Sequence, residues 1–344
     1  MTGTSPMPAR GSVVTLTANP SLDRTLVLPG PLERGSVARL GVSSTEPGGK
    51  GVNVARAVAA AGVDVVSVLP AGADDPVLSA LHGLGLRLAT VPIVSPVRTN
   101  YTLTEPDGTT TKLNEPGAPL DDEARRALEA AVREHAAGAA WVVLSGSLPP
   151  GTPVDWYATL VRSLRDTGAR IAVDTSEAPL LALLAAGGAA PDLLKPNTEE
   201  LAQLAGRSEE ELSGDPAALL DAVGSLHARG VADVLLTLGA GGAWLSTADG
   251  GLWSAQPPRV TVRSTVGAGD SSLAGYLLAH LAGAEPAARL QNAVAYGSAS
   301  AALPGSAVPR PDQADPAAVP VVPGLPRTTP VPVGARPVAG PDAR

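Results

Sequence analysis

The chain has 344 residues, of which 44% are hydrophobic, and its formal net charge is −8 at pH 7. This length allows one large α/β domain or two small ones, and the acidic charge argues against nucleic acid as a partner, because binding a polyanion normally requires a basic face. The absence of cysteine excludes disulfides, thiolate catalysis and cysteine-ligated metals.

The N-terminal residues carry no targeting signal of the usual kind. The stretch from Met1 to Arg10 lacks an apolar core, and no run of 18 or more apolar residues occurs in the sequence. We therefore expect residues 1–11 to be disordered, no membrane partner, and a cytoplasmic location.

A short β-branched segment, residues 12–18, predicts a buried first strand. It is followed by the sequence NPSLD, which ends in Asp23. Because ligands gather at the carboxyl ends of strands in a parallel sheet, Asp23 is a candidate for binding hydroxyl groups. On the local pattern alone, a turn-forming aspartate after proline is an equally good interpretation.

Four short segments predict a small sheet laid over a site. Residues 25–28 and 36–43 are β-like pieces interrupted by turns, and residues 97–104 and 109–114 alternate around a Pro-Asp-Gly turn in the pattern of a hairpin. We expect the strands of this lid within two regions, 24–45 and 96–115.

Two residues of the predicted hairpin stand out, Arg98 and Asn100. They are two apart and therefore project from the same face of their strand. Asparagine is a poor strand former, so its pairing with an arginine indicates ligand contact. An exposed polar face is the usual alternative.

A glycine-rich segment, EPGGKGVNVARA at residues 46–57, predicts a turn leading into a helix. Lys50 and Asn53 fall three apart and share one helical face, and Gly49 allows close approach of a ligand. The segment is neither a Walker A loop nor a Rossmann fingerprint, and a flexible loop before an ordinary helix is the alternative.

Lysine is scarce in this arginine-rich chain, which contains only Lys50, Lys112 and Lys195. A compact ammonium retained in such a chain indicates a site that the planar guanidinium does not fit. Lys50 and Lys195 each belong to a polar motif, which makes both of them candidate site residues.

Strand and helix patterns alternate from residue 140 to residue 237, which predicts a parallel sheet covered by helices. Polar motifs stand at three of the predicted strand ends, where functional residues cluster. These motifs are Ser145-Gly146-Ser147-Leu148-Pro149, Lys195-Pro196-Asn197-Thr198-Glu199-Glu200 and Thr237-Leu238-Gly239-Ala240-Gly241-Gly242.

Two of these strand-end motifs allow a structural or a functional interpretation. Asn197 and Glu200 have the spacing of a capping box, but the same spacing suits the water shell of Mg²⁺. On spacing alone the cap is favoured. The glycines from Gly239 to Gly242 could let a nucleotide lie against the backbone, or they could form a hairpin turn.

The sequence RSTVGAGDSSLAG at residues 263–275 predicts an anion site with a base at its centre. Gly267, Ala268 and Gly269 leave backbone N–H groups accessible, and the leucine spacing after them predicts a helix whose first turn favours phosphate. Asp270 would repel an anion but could accept a proton from an attacking hydroxyl. The alternative is that Asp270 only caps the helix.

A second helix is predicted from about residue 286 to residue 302. From Pro304 onward, 11 of the 34 prolines occur in 41 residues. This composition predicts that residues 304–344 form an extended or disordered tail without chemistry.

Together these motifs resemble the ribokinase-like carbohydrate kinases of the PfkB family, over nearly all of residues 12–310. The segment PGGKGVNVARA is similar to the first signature of that family, and residues 264–275 are similar to the second, in which the aspartate of GAGD is the catalytic base. The resemblance implies a three-layer α/β/α fold with a mostly parallel central sheet, a small β-sheet lid, and a kinase domain over residues 12–303.

The resemblance also implies roles for individual residues. Asp270 would be the base, and Gly267, Ala268 and Gly269 would form the anion hole. Asn197 and Glu200 match the NxxE motif of the family. This match reverses the preference for a mere helix cap and implies that the two residues hold Mg²⁺ through water. The residues that the resemblance implies for binding ATP are Lys195, Asn197, Thr237, Gly239, Gly242, Ser264 and Gly269. Those that it implies for binding the sugar are Asp23, Gly49, Lys50, Asn53, Arg98, Asn100 and Ser145.

Within the family, the motifs NPSLD, GKG and Arg98-Thr99-Asn100 resemble the branch that acts on sugar phosphates, which includes 1-phosphofructokinase and tagatose-6-phosphate kinase. The implied reaction is conversion of fructose 1-phosphate to fructose 1,6-bisphosphate with ATP, with Lys50 and Arg98 holding the phosphate of the substrate. Tagatose 6-phosphate and fructose 6-phosphate stay open as acceptors. A non-catalytic sugar-phosphate sensor on the same fold is the alternative from another class.

The resemblance carries two further expectations. Relatives often pair through the lid, which implies a homodimer. Two positions depart from the family pattern: Gly241 stands where many relatives carry glutamate, and Glu177 stands where glycine is frequent. Both lie beside the expected nucleotide and strand-end regions, away from Asp270.

Overall fold

A large mixed sheet runs through the centre of the molecule. The structure, a computed structural model, describes residues 11–185, 187–213 and 215–325, and ten strands within these ranges belong to this sheet. In spatial order they are Val321–Pro323 (β14), Leu252–Ala255 (β13), Ala243–Thr247 (β12), Asp233–Thr237 (β11), Leu193–Leu194 (β10), Arg170–Asp174 (β9), Trp141–Ser145 (β8), Val13–Thr17 (β1), Val65–Ala71 (β4) and Arg87–Pro92 (β5). The strands from β11 to β5 in this order are parallel, and β12, β13 and β14 continue the sheet antiparallel.

The first strand lies inside this sheet, between β4 and β8. The chain therefore leaves β1 toward one side of the sheet and later returns to its other side. In α/β folds the crevice at the carboxyl end of such a strand is the usual ligand site, and the segment that contains Asp23 begins there.

Helices cover both faces of the large sheet. In chain order the α-helices of the described residues are Lys50–Ala60 (α1), Pro76–Gly83 (α2), Asp122–Ala136 (α3), Trp156–Leu164 (α4), Glu177–Ala185 (α5), Thr198–Ala205 (α6), Glu209–Ser213 (α7), Pro216–Ala228 (α8), Ala268–Leu281 (α9) and Pro286–Ala301 (α10). Alternate residues of β1 point to opposite faces. Val13 belongs to the core that contains the buried residues of α1, α2, α9 and α10, and Val14 belongs to the core that contains those of α3 to α8. The three-layer α/β/α architecture and the mostly parallel sheet are thus confirmed.

The predicted lid is a separate sheet of four strands. These strands are Ser43–Gly48 (β3), Ser21–Val27 (β2), Arg98–Thr104 (β6) and Thr110–Asn114 (β7), in that spatial order. The strand predicted at residues 36–43 is wrong, because the chain pairs with β2 only from Ser43 to Gly48. That strand includes Pro47, which is tolerated because β3 is an edge strand.

The C-terminal part of the described chain is ordered, contrary to the predicted tail. Residues 304–325 contain two short 3₁₀ turns, Pro311–Gln313 and Pro316–Ala318, and end in the edge strand β14. Val319 is buried against the core. Proline does not prevent this arrangement, because edge strands and 3₁₀ turns both accept it. The rest of the predicted tail and most of the predicted disordered N-terminus, residues 1–10, lie outside the described residues.

Glu177 has a left-handed backbone, with φ of 57°, a conformation that glycine adopts most easily. A residue with a Cβ loses roughly 1–2 kcal/mol of stability in this conformation. Replacement by glycine removes that cost, but part of the gain is offset because glycine makes the unfolded chain more flexible. We expect Glu177→Gly to raise the free energy of unfolding by about 0.5–1 kcal/mol in urea denaturation. Glu177→Ala keeps the Cβ and should not show this gain; equal effects of the two variants would contradict the explanation.

Candidate active site

The helix α9 begins earlier than its leucine spacing predicted. Gly267, in the left-handed conformation with φ of 76°, precedes its first residue, Ala268, and Asp270 is the third residue of the helix. The side chain of Asp270 makes no capping bond to this helix, so the interpretation of Asp270 as an N-cap is wrong. The first turn instead presents N–H groups that have no intrahelical acceptor.

The carboxylate of Asp270 is buried, with 7% exposure, and faces helix α1. The side-chain amide of Asn53 donates a hydrogen bond to its Oδ2 at 2.9 Å. Burial is the main cause that raises the pKa of Asp270 to about 6, and the nearby charge of Asp174 adds to it. A carboxyl with this pKa is mostly ionised at neutral pH and is basic enough to accept a proton.

Asp174 bridges two lysines close to Asp270. The side chain of Asp174 is fully buried at the end of β9; its Oδ1 accepts from Nζ of Lys50 at 2.7 Å, and its Oδ2 lies 3.1 Å from Nζ of Lys195. Burial would raise the pKa of Asp174, but the two ammonium groups outweigh it and lower the pKa. Burial would likewise lower the pKa of Lys50, but the carboxylates of Asp174, Asp270 and Glu200 raise it.

The raised pKa of Asp270 gives a pH dependence with a defined sign. A general base must be ionised, so kcat/KM, which reports the enzyme without bound substrate, should fall about tenfold per pH unit below about 6, about two pH units above the fall that an ordinary aspartate would give. The measurement is kcat/KM for the acceptor between about pH 5 and pH 8. The residual activity of Asp270→Asn should not show this fall in acid. The same fall in that variant would contradict the assignment of Asp270 as the general base.

The lid side of the site is built on neighbouring strands β2 and β6. Their register places Asp23 opposite Asn100, whose Nδ2 donates to Asp23 Oδ1 at 3.0 Å. The Arg98 guanidinium donates to the carbonyl of Asn19 at 3.2 Å. Among the described residues, Nε of Arg98 and Oδ1 of Asn100 are buried without a hydrogen-bond partner. Such unused polar atoms are unfavourable unless water or a ligand satisfies them.

Gly48 packs against Asp23 so closely that a Cβ at Gly48 would overlap the carboxylate. We expect Gly48→Ala to displace Asp23, the predicted hydroxyl-binding group, and to raise KM for the acceptor substrate by about tenfold, because small misplacements of a binding group are costly. Steady-state kinetics would measure this. Gly30→Ala is the matched control, because a Cβ at Gly30 meets no atom within 4 Å; an equal KM in both variants would contradict the prediction.

The loop after β8 presents a different serine from the predicted one. Ser145 is fully buried, whereas Ser147 is exposed and accepts a hydrogen bond from Asn19 Nδ2 at 3.3 Å. The exposed hydroxyl of this loop is therefore that of Ser147 and not that of Ser145. Gly49, the remaining predicted sugar-side residue, directly precedes α1.

A cavity of about 580 Å³ lies beside the start of α9. Five residues predicted for the nucleotide line it, namely Asn197, Thr237, Gly239, Gly242 and Gly269. Lys195 and Ser264 are not among its lining residues. Nζ of Lys195 nevertheless lies close to the helix start, since a Cβ at Gly269 would be 3.3 Å from it. The Ser264 hydroxyl accepts from the amide of Val266 at 3.2 Å.

An apolar wall of this cavity was not predicted from the sequence. It comes from the segment between β13 and α9 and from one face of α10, and its members include Pro257, Pro258, Val260, Val262, Val294 and Ala301. The one local signal was the Pro-Pro pair, which cannot continue a strand. A flat apolar slot next to first-turn amides suits a nucleobase joined to a phosphate chain.

Asn197 and Glu200 form a complete capping box at the start of α6. Asn197 Oδ1 accepts from the amide of Glu200 at 2.8 Å, and Glu200 Oε2 accepts from the amide of Asn197 at 2.9 Å. Burial raises the pKa of Glu200. The capping interpretation is therefore correct. The capping box uses only one oxygen of the Glu200 carboxylate.

The buried carboxylate of Asp270, the first-turn amides of α9 and the adjacent cavity are the arrangement that phosphoryl transfer to an alcohol requires. The pattern described as pfkB family carbohydrate kinase matches residues 17–313, and the chain belongs to this family. It is therefore a phosphotransferase that uses ATP and an alcohol group of a carbohydrate as acceptor.

Named relatives cover nearly the whole chain. The 1-phosphofructokinase of Rhodobacter capsulatus is 35% identical over 88% of this chain and 94% of its own length. The ATP-dependent 6-phosphofructokinase isozyme 2 of Escherichia coli K12 is 34% identical over 84% of this chain and 92% of its own length. The crystal structure of phosphofructokinase-2 from Escherichia coli in complex with substrates and products matches with a TM-score of 0.81 at 32% identity, covering 88% of this chain and 97% of that one.

The structure gives no sign of a membrane span in the residues that it describes, because none of their helices combines sufficient length with sufficient apolarity.

Proposed function

We propose that the protein is a 1-phosphofructokinase, which converts fructose 1-phosphate and ATP to fructose 1,6-bisphosphate and ADP. The observation that carries this proposal is the meeting of Asp270, Asn53 and the lysine pair at the first turn of α9, beside the large cavity. The relative from Rhodobacter capsulatus that is named 1-phosphofructokinase supports the choice of acceptor.

A phosphate on the acceptor sugar would account for the unsatisfied groups of the lid. Nε of Arg98 is a buried donor without a partner in the described residues, and a guanidinium binds phosphate well. Asp23 and Asn100 lie on the same pair of strands and offer a carboxylate and an amide oxygen for hydroxyl groups. We therefore assign binding of the phosphate that the acceptor already carries to Arg98, and binding of the sugar hydroxyls to Asp23, Asn53 and Asn100.

Asp270 takes the proton of the 6-hydroxyl as that oxygen forms a bond to the γ-phosphorus of ATP. The bond between the γ-phosphorus and the β,γ-bridging oxygen breaks, and ADP leaves with that electron pair. We assign stabilisation of the migrating charge to the first-turn amides of α9 and to Lys195, whose Nζ lies close to Gly269. Each such donor can stabilise the transition state by about 3 kcal/mol.

Magnesium would enter with ATP as part of the substrate. Asn197 lines the cavity, and its capping partner Glu200 keeps a carboxylate oxygen that the capping box does not use. Such a pair suits an ion that keeps several waters and takes few protein ligands. When bound, the ion would neutralise charge on the phosphates. We place the reaction in the cytoplasm because ATP and sugar phosphates are cytoplasmic metabolites.

The test is ADP release by the purified protein with Mg-ATP and one of four acceptors: fructose 1-phosphate, fructose 6-phosphate, tagatose 6-phosphate or ribose. The highest kcat/KM with fructose 1-phosphate supports the proposal. Activity on ribose alone contradicts the phosphate site at Arg98. Sugar-phosphate binding without turnover of any acceptor would instead indicate a sensor.

Fructose 6-phosphate is the second candidate acceptor. It is favoured by the relative named 6-phosphofructokinase isozyme 2, which is almost as similar to this chain as the one named 1-phosphofructokinase. A higher kcat/KM for fructose 6-phosphate in the same assay would decide for this candidate. Tagatose 6-phosphate is tested in the same way.

We also propose a homodimer formed through the lid sheet. Exposed apolar side chains lie in the lid region, among them Val27, Val37, Val42 and Leu113. Light scattering should give twice the mass of the chain, and Leu113→Glu, which places a charge on β7, should give the monomer mass. A monomeric wild type would contradict the proposal.

A further inference from the structure

A chain of polar contacts connects Arg56 to the candidate base through Asn53. Asn53 and Arg56 lie three apart on α1, and NH1 of Arg56 is 3.3 Å from Asn53 Oδ1, which accepts from it. The other end of the same carboxamide donates to Asp270 Oδ2 at 2.9 Å. Both ends of the Asn53 side chain are therefore engaged, one with a cation and one with a carboxylate.

The orientation of this carboxamide matters for Asp270. An amide group has nearly the same shape after a half-turn, and its partners decide which end faces which way. With the oxygen end toward Asp270, two acceptors would repel each other. A guanidinium has donors and no acceptor, so Arg56 selects the oxygen end of Asn53 and leaves the NH₂ end for Asp270.

Arg56 is in turn fixed by two segments that do not belong to α1. The same NH1 also lies 3.2 Å from the carbonyl of Pro47, in lid strand β3, and 3.1 Å from the carbonyl of Ser306, in the loop after α10, so that its two N–H groups are shared among three acceptors. Glu46 ties these two segments together, because its Oε2 accepts from the amide of Ser306 at 3.1 Å and from its hydroxyl at 2.5 Å. The guanidinium thus lies at a junction of the lid, α1 and the chain that follows the nucleotide-lining helix.

We propose that Arg56 is a positioning residue for the phosphoryl-transfer step, which holds Asn53 in the orientation that hydrogen-bonds the base. This inference rests on the proposed function, in which Asp270 accepts the proton. It couples the positions of lid strand β3 and of the loop at Ser306 to Asp270 through Arg56 and Asn53.

The kinetic test is a double-mutant cycle of Arg56→Met and Asn53→Ala. Methionine keeps the apolar stem of the side chain and removes every donor. We expect Arg56→Met to lower kcat about tenfold with KM for ATP within about twofold, and to have no further effect in the Asn53→Ala background, because the two residues act as one unit. Arg56→Lys keeps a donor-only cation and should recover part of the loss. Equal losses in both backgrounds, or wild-type kcat in Arg56→Met, would overturn the inference.

Ser306→Ala is the matched control for the junction itself. It removes the hydroxyl contact with Glu46 but keeps the carbonyl that Arg56 uses. We expect kcat close to that of the wild type, together with similar melting temperatures for all variants. A loss of kcat in Ser306→Ala as large as in Arg56→Met would show that any loosening of the junction is sufficient, which would overturn a specific role for Arg56.

A readout that needs no turnover separates this inference from the proposed function. The pKa of Asp270 can be followed by carbon NMR of labelled aspartate, assigned with Asp270→Asn. Loss of the Asn53 hydrogen bond, which favours the ionised form, should raise this pKa further in Arg56→Met. The charged groups that face Asp270, which are Asp174, Lys50 and Lys195, are the same in both proteins. An unchanged pKa would contradict the inference even if the wild type phosphorylated none of the tested sugars.

Discussion

Asp270→Asn is expected to lower kcat by about 10²–10⁴, because the variant keeps the shape of the side chain but cannot take the proton of the acceptor hydroxyl. The carboxamide oxygen can still accept the hydrogen bond from Asn53. Binding should therefore be retained, with KM for both substrates within about threefold of the wild type. Steady-state ADP release with saturating Mg-ATP measures both quantities.

Loss of folding would not explain such a result. The pKa of Asp270 is raised in the folded protein, so at a pH above about 6 the ionised carboxylate destabilises the fold relative to the unfolded chain. The uncharged variant should consequently be at least as stable as the wild type at pH 7.5. Asp122→Asn, on the exposed start of α3, is the control that changes a carboxylate elsewhere. A kcat within tenfold of the wild type in Asp270→Asn would rule out Asp270 as the proton acceptor.

The parts of the site that the sequence predicts are those whose chemistry shows in a short motif. Asp270 and its glycines lie in one stretch, and a carboxylate inside an anion site is informative without any structure. Asn53 belongs to another short motif, at the start of α1. That these two residues touch, across 217 positions of sequence, required the fold.

Residues that act by joining distant segments left no such signal. Asp174 ends a predicted strand, where an aspartate resembles any turn or capping residue, and only the parallel sheet brings Lys50 and Lys195 to it. Arg56 follows Asn53 on an ordinary amphipathic helix. Its role depends on Pro47 and Ser306, which come from the lid and from the far end of the chain.

The same distinction holds for the fold. The alternating strands and helices from residue 140 onward were predicted because burial on both faces makes the strands continuously apolar. Helix α3 was not predicted, since only Leu128, Val132 and Ala136 are buried among its charged residues. Strand β5 was missed for a similar reason: it lies at an edge of the sheet, and much of its surface is exposed.

The largest effect on stability is expected for Asp174→Asn. The substitution removes the carboxylate that contacts both ammonium groups. A neutral carboxamide leaves Lys195, which is 5% exposed, as a buried cation without its ion-pair contact. Breaking a buried pair in this way typically costs 3–5 kcal/mol. The Lys50 side chain is 34% exposed and can turn toward water. We therefore expect a loss at the lower end of this range, about 3 kcal/mol in the free energy of unfolding.

Urea denaturation at neutral and at acidic pH tests both the size and the cause of this loss. The pKa of Asp174 is lowered in the folded protein, so its stabilising contribution is present above the unfolded pKa and disappears as the pH falls through the folded one. The difference between wild type and variant should therefore shrink in acid. Adding Lys195→Met to Asp174→Asn should restore part of the stability at neutral pH, because it removes the stranded charge. Asp166→Asn is the control, because it breaks an ion pair with Arg133 in which both partners are exposed. It should lower the free energy of unfolding much less. If Asp174→Asn lost no more stability than Asp166→Asn, the lysine pair would not depend on Asp174.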